Sequence, residues 1–215
     1  MFYSAGQAGK LLALDTNSGC VKWEYDAGVP LRASVSYGEL GSSGKKALIL
    51  GDARAHVHAV DAKTGSLLWK VEGRHDKQGQ ITGAPVLYKD RVIVPVSSSG
   101  VTSGANPSFE CCTGHGAVVA LDAMTGDKLW TAHTMEDAQY TGKTTSTGVK
   151  LRGPSGAPIW STPSVDEKRS LIYASTGENT SLPATKTSDA VLAIDIATGE
   201  LKWSFQALAN DVWHM

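Results

Sequence analysis

Cysteine is scarce in this chain, with three in 215 residues, and two of the three, Cys111 and Cys112, are adjacent. That is too few for a disulfide scaffold and offers no zinc-type spacing, while Cys20, alone in an exposed-looking turn, reads as an incidental thiol or as the partner of something missing from this chain. An excess of either charge is also lacking. Twenty Lys and Arg stand against 21 Asp and Glu, leaving a formal charge of -1 with no basic run to follow a phosphate backbone, so nucleic acid is not an expected partner. Nothing in the composition suggests disorder or a membrane span, and no stretch carries helical periodicity. The start, Met1-Phe2-Tyr3-Ser4-Ala5-Gly6, shows no basic segment, apolar segment or cleavage site of an export signal. The end, Trp213-His214-Met215, follows an apolar-aromatic run with no closing loop, and both termini are read as the boundaries of a fragment.

What is present is a repeat. Ala13-Leu14-Asp15-Thr16-Asn17-Ser18-Gly19 is followed by Trp23, and the same register of Ala, Asp, Ser or Thr, Gly and Trp returns at Ala59 to Trp69, Ala120 to Trp130 and Ala193 to Trp203. Trp23 and Trp69 stand 46 residues apart, the size of one four-stranded propeller blade of roughly 40 to 50 residues. Longer intervals to Trp130 and Trp203 call for insertions.

In each copy an apolar run leads into an Asp-x-x-Ser/Thr-Gly turn and then a second run that carries the Trp, which is a hairpin pattern. Gly supplies a positive φ, and Asp accepts hydrogen bonds from turn amides. Hairpins are therefore predicted near 9–25, 55–71, 116–132 and 189–205. Further strands are predicted at 83–88, 91–96, 161–165 and 171–175. A Trp at a fixed offset buries a large ring between neighbouring sheets, so Trp23, Trp69, Trp130 and Trp203 are assigned to the core rather than to chemistry. Segments 97–112, 132–158 and 177–189, rich in Gly, Ser and Thr, are predicted to be loops over one face.

The four Ala-x-Asp-x-x-Thr-Gly-x-x-x-Trp copies resemble the tryptophan-docking motif of eight-bladed quinoprotein alcohol dehydrogenases. Phe109-Glu110-Cys111-Cys112-Thr113-Gly114-His115-Gly116, together with Ala157-Pro158-Ile159-Trp160-Ser161-Thr162-Pro163 and Ser175-Thr176-Gly177-Glu178-Asn179, looks like the polyvinyl-alcohol dehydrogenase branch. The resemblance implies an all-β fold with about four blades of a partial propeller spanning 1–215. It also implies pyrroloquinoline quinone (PQQ) and calcium as cofactors, cytochrome c as electron acceptor and a periplasmic or other extracytoplasmic location.

It assigns residues as well. Glu110 and Asn179 match the family's calcium ligands, which are hard oxygen donors; on their own chemistry, without the resemblance, they read rather as solvated loop side chains. Trp160, off the docking register, matches the aromatic floor under the quinone, with ordinary core packing as the alternative. Cys111-Cys112 match the family's vicinal disulfide, although in a different blade from the methanol-oxidising branch; two free buried thiols are the alternative. Arg32 and Thr82, on predicted inner strands, are candidates for the quinone's carboxylates, with inter-blade roles equally open. The family's general base is the final aspartate of an Asp-x-Trp-Asp segment, and here Asp211-Val212-Trp213-His214 puts His at that position. Asp211 and His214 are both carried as candidate catalytic residues.

The resemblance implies oxidation of an alcohol, with polymeric alcohols among the candidate substrates. The alternative is a non-catalytic propeller scaffold that binds proteins on a loop face. A half ring leaves an open axis, so the fragment alone is expected to be inactive, or to assemble with its missing half or with another copy.

Overall fold

A computed structural model describes residues 2–4 and 6–213. Four antiparallel sheets follow one another along the chain, and each contains one of the repeated hairpins. The first holds Phe2–Ser4, Lys10–Leu14 and Val21–Asp26; the second Ser36–Glu39, Lys46–Gly51, His56–Asp61 and Leu67–Glu72. The third is built from Gly79–Gln80, Val86–Tyr88, Arg91–Ser98, Ala117–Asp122 and Lys128–His133, and the fourth from Ser164–Asp166, Leu171–Ser175, Ala190–Asp195 and Leu201–Gln206. Helix is confined, among the described residues, to Gly100–Ser103 and a 3-10 turn at Gly6–Ala8. Among the described residues no helix is long and apolar enough to cross a membrane.

All four turns share one geometry. The Oδ1 atoms of Asp15, Asp61, Asp122 and Asp195 each accept the backbone N–H groups two and three residues on, at 2.8–3.0 Å, and the hydroxyl of the Ser or Thr as well. Those donors, with Lys22 foremost at Asp15, hold the carboxyls of Asp15, Asp61 and Asp195 below the usual carboxylate range.

Side-chain alternation stacks the sheets. In the third sheet Val92, Val94 and Val119 face the second sheet, where they meet Ile49 and Val57, while Ile93, Val118 and Ala120 face the fourth and meet Ile172 and Leu192. Leu11 and Leu31 close a third layer against Leu48, Leu50 and Val60. Every layer contains one repeat Trp. Its ring lies on the turn glycine of the next repeat: a Cβ on Gly65 would sit 2.7 Å from Trp23, one on Gly126 2.9 Å from Trp69, and one on Gly199 2.6 Å from Trp130. Trp69 also donates its indole N–H to the carbonyl of Ala123 at 3.0 Å.

Trp203 departs from the core assignment. It is 46% exposed, on a face where Leu201 and Phe205 are exposed too, because no turn glycine of a following repeat lies on it among the described residues. Two other expectations also need correction. Residues 83–85 and 161–163 are not in strands, since Pro85 and Pro163 have no N–H to give a ladder and Gly83 is used for close packing instead. The segments predicted as loops contain regular structure: the helix at Gly100–Ser103, a hairpin of Gln139–Thr144 with Lys150–Gly153, and a two-stranded pairing of Ser155–Gly156 with Asn179–Ser181.

Candidate functional site

Three of the predicted residues line one cavity of about 480 Å³: Arg32, Thr82 and Trp160, joined by Gln80, Ser98 and Ser99. None of the three lies in a regular strand, contrary to the expectation of inner strands. Arg32 follows a single bridge between Leu31 and Asp52, and burial of Leu31 and Ala33 on either side turns its side chain outward. Thr82 stands between buried Ile81 and Gly83. A Cβ on Gly83 would lie 2.5 Å from the carbonyl oxygen of Ser161 and 2.9 Å from that of Trp160, so only glycine lets these two chain segments meet.

Trp160 is positioned in a similar way. Ile159 is fully buried and anchors the chain by donating its N–H to Val96 at 3.3 Å, which leaves the next side chain 48% exposed to the cavity. A Cβ on Gly177 would come within 3.1 Å of the indole, so Gly177 leaves the ring room to lie against the backbone. The hydroxyl of Thr82 is buried without a hydrogen-bond partner. An unpaired hydroxyl, a guanidinium and an exposed aromatic face on one cavity form a donor set suited to a planar, anionic, carboxylate-bearing molecule.

Cys111 and Cys112 are joined to each other as a disulfide. Their backbone pairs with the strand at Lys150–Gly153, Arg152 donating to Cys111 at 2.9 Å and Cys112 donating to Arg152 at 3.2 Å. The pair packs under the helix at Gly100–Ser103: a Cβ on Gly104 would be 3.2 Å from the Sγ of Cys111. Val101 and Thr102 of that helix line the cavity of Trp160, whereas Cys111 itself lines a second, more apolar cavity of about 600 Å³ with Leu182, Val212 and Trp213. The disulfide thus stands between the two.

Glu110 and Asn179 each have a side-chain oxygen engaged elsewhere. Glu110 is an exposed residue whose Oε2 accepts from Arg152 Nε at 2.8 Å, and that guanidinium lowers its carboxyl pKa. Asn179 is fully buried. Its Oδ1 accepts the N–H of Thr185 at 2.9 Å, and its Nδ2 donates to Ser155 at 3.1 Å. As arranged, this pair does not fit a calcium ion, which wants several free oxygens converging on one point.

Asp211 lies beside Asn179, whose N–H donates to its carbonyl at 3.3 Å, and Trp213 donates back to Asn179 at 2.8 Å. Burial first, then the charges of Asp211 and Glu178, raise the carboxyl of nearby Asp189. His214 lies outside the described residues. Sequence reasoning did not single out Gln80, Ser98 or Ser99; the Ser97-Ser98-Ser99-Gly100 run closing an apolar strand was the available signal.

The family model described as "PQQ: Glucose/ethanol/alcohol dehydrogenase, beta-propeller domain" matches residues 1–215. A polyvinylalcohol dehydrogenase of Sphingopyxis sp. (strain 113P3) is 37% identical over 97% of the chain and 32% of its own length; one from Pseudomonas sp. is 34% identical over 97% of the chain and 33% of its own length. Among solved structures, quinohemoprotein alcohol dehydrogenase from Comamonas testosteroni superposes with a TM-score of 0.73 at 20% identity, covering 99% of this chain and 34% of that one, a likeness of fold. The chain spans about a third of the length of the curated relatives it matches.

Proposed function

We propose, from the premise that the chain belongs to the glucose/ethanol/alcohol dehydrogenase β-propeller family, that the cavity of Arg32, Thr82 and Trp160 receives pyrroloquinoline quinone and that the whole protein oxidises an alcohol. The observation that carries this reading is the meeting of the unpaired Thr82 hydroxyl, the Arg32 guanidinium and the open Trp160 face on one cavity. Arg32 and Thr82 would hold carboxylate oxygens by charge-assisted and neutral hydrogen bonds, and Trp160 would stack on the planar rings.

When bound, the quinone supplies a two-electron acceptor for the hydride that leaves the alcohol carbon. Asp211 is the candidate for the hydroxyl proton, taken as the O–H bond breaks, with His214 as the neighbouring alternative. The substrate class proposed is a secondary alcohol on a polymer, supported by the 34–37% identical relatives named for polyvinyl alcohol and by the apolar cavity of Leu182, Val212 and Trp213 beside the disulfide. No step is assigned to calcium, for which Glu110 would first have to release Arg152.

Cytochrome c is the proposed acceptor and an extracytoplasmic compartment the proposed location, the latter supported by the closed Cys111–Cys112 pair. The exposed face of Leu201, Trp203 and Phe205 is proposed to take a further repeat, from the rest of a longer protein or from another copy, whose Asp-x-x-Thr-Gly turn would dock on Trp203 as Gly199 does on Trp130.

The test is a titration of tryptophan fluorescence with PQQ. Saturable quenching that weakens at least tenfold in Trp160→Ala and in Thr82→Val supports the site. A titration unchanged in both would remove the quinone reading and leave a protein-binding scaffold.

A further inference from the structure

Three histidines gather outside both cavities. His75 lies in the segment after the last strand of the second sheet, His115 just before Ala117–Asp122, and His133 at the end of Lys128–His133. The backbone pairing of Ala117 with His133 sets the last two side by side, and the turn from the second sheet brings in the first. Ring centroids are 4.5, 4.7 and 5.2 Å apart, and one nitrogen from each ring falls within 4.8 Å of the others. A zinc ion bound at about 2.0–2.1 Å needs ligand nitrogens about 3.4 Å apart in a tetrahedron, so small ring rotations would close the set.

Packing alone does not account for the polar atoms here. His115 is 1% exposed, and its Nε2 stands 3.0 Å from Nδ1 of His133, a contact that shares one proton between two nitrogens. Its own Nδ1, both ring nitrogens of His75 and Oδ2 of Asp76 are buried with no hydrogen bond. Nε2 of His75 nevertheless lies 3.0 Å from Oδ2 of Asp76, the pairing by which a carboxylate orients a metal-bound imidazole through its second nitrogen. Buried polar groups are nearly always satisfied, and the Nδ1 atoms of His75 and His115, on rings 4.5 Å apart and left without a hydrogen bond, indicate an absent partner. A single partner that takes lone pairs from three converging imidazoles at once is a cation. Nitrogen donors favour zinc and its neighbours over calcium or magnesium. His133, the outermost ring, opens on a cavity lined by Glu136 and Asp137, which gives a cation a path of negative potential inward.

We propose that His75, His115 and His133 bind one divalent transition-metal cation of the zinc class, with Asp76 orienting His75. The site clips the second sheet to the third and stands apart from the quinone cavity, so it holds whether or not PQQ binds.

Calorimetric titration of the chelator-stripped chain with Zn²⁺, in excess Ca²⁺, tests it. The expected result is one Zn²⁺ per chain, a melting temperature that rises with Zn²⁺ concentration, and a Co²⁺ derivative with the visible absorption of a four-coordinate ion. His133→Ala removes a solvent-exposed ring and leaves the cores untouched; it should weaken binding at least tenfold, as should His75→Ala. No stoichiometric binding by the parent chain, or binding unchanged in both variants, would overturn the site.

Discussion

The docking of each repeat Trp on the next turn glycine yields a quantitative comparison within one molecule. Gly19 and Gly126 occupy the same position of the repeat with nearly the same backbone, φ +71 and +79, and differ in what lies above them. A Cβ on Gly19 meets nothing within 4 Å, whereas one on Gly126 would be 2.9 Å from Trp69 and 2.9 Å from Val71. Gly19→Ala therefore carries only the left-handed penalty of about 1–2 kcal/mol, offset by about 0.4–1 kcal/mol from a less flexible unfolded chain, for a net loss of about 1 kcal/mol. Gly126→Ala adds overpacking of about 1–3 kcal/mol, giving about 2–4 kcal/mol in all. The difference, about 2 kcal/mol, is roughly thirtyfold in the folding equilibrium. Urea unfolding followed by far-ultraviolet circular dichroism reads it, and the double variant Gly126→Ala/Trp69→Ala should be less unstable than the sum of the two changes, since removing the indole removes the clash. Losses that agree within about 0.5 kcal/mol at the two glycines would refute the docking account.

The same logic expects Trp69→Ala to lose about 3–5 kcal/mol in urea unfolding, and Trp203→Ala, whose ring is 46% exposed, well under half of that. A second expectation concerns Asp52, which is buried with His56 at 3.0 Å, His58 at 3.0 Å and Lys70 at 3.9 Å, with Tyr25 hydrogen-bonded to the far side of His58 at 2.7 Å. Burial pushes its carboxyl up, but hydrogen bonds from His58 and from the backbone of His56 and Arg54 outweigh it and hold the group at about 2. A depressed carboxyl stabilises the fold above its unfolded value, so about 2 kcal/mol should be lost as pH falls from about 4 to about 2. Asp52→Asn should abolish that step in an acid titration of stability, and Asp52→Ala should lose about 3–5 kcal/mol at neutral pH. Under the proposed alcohol oxidation, Asp211→Asn in the whole protein should lower kcat by about 10²–10⁴ while PQQ binding is unchanged; full activity in that variant would pass the role to His214.

Much of the architecture was legible in the sequence because the turn that starts each repeat is a local object. Asp15 binds amides two and three residues away, and Gly199 takes its positive φ within the same loop, so contiguous residues specify the hairpin wherever it occurs. The alternation of Val92, Ile93 and Val94 likewise carries both buried faces of a strand in a single run. Reading Gly83 and Pro85 as the start of a strand failed because the sequence does not show that Gly83 is spent on a backbone contact with Ser161, far along the chain.

The sequence by itself determined the repeat, the all-β class and the family, and it named three of the residues, Arg32, Thr82 and Trp160, that line the candidate cavity. Only the tertiary structure decided which Trp lies on which glycine, that Arg32, Thr82 and Trp160 share a cavity while Glu110 is held by Arg152, and that His75, His115 and His133 converge. The physical reason is range: a turn's hydrogen bonds close within a few residues and leave their mark in adjacent letters, whereas a cavity or a ligand set exists only once separate sheets have stacked and brought distant side chains within a few ångströms.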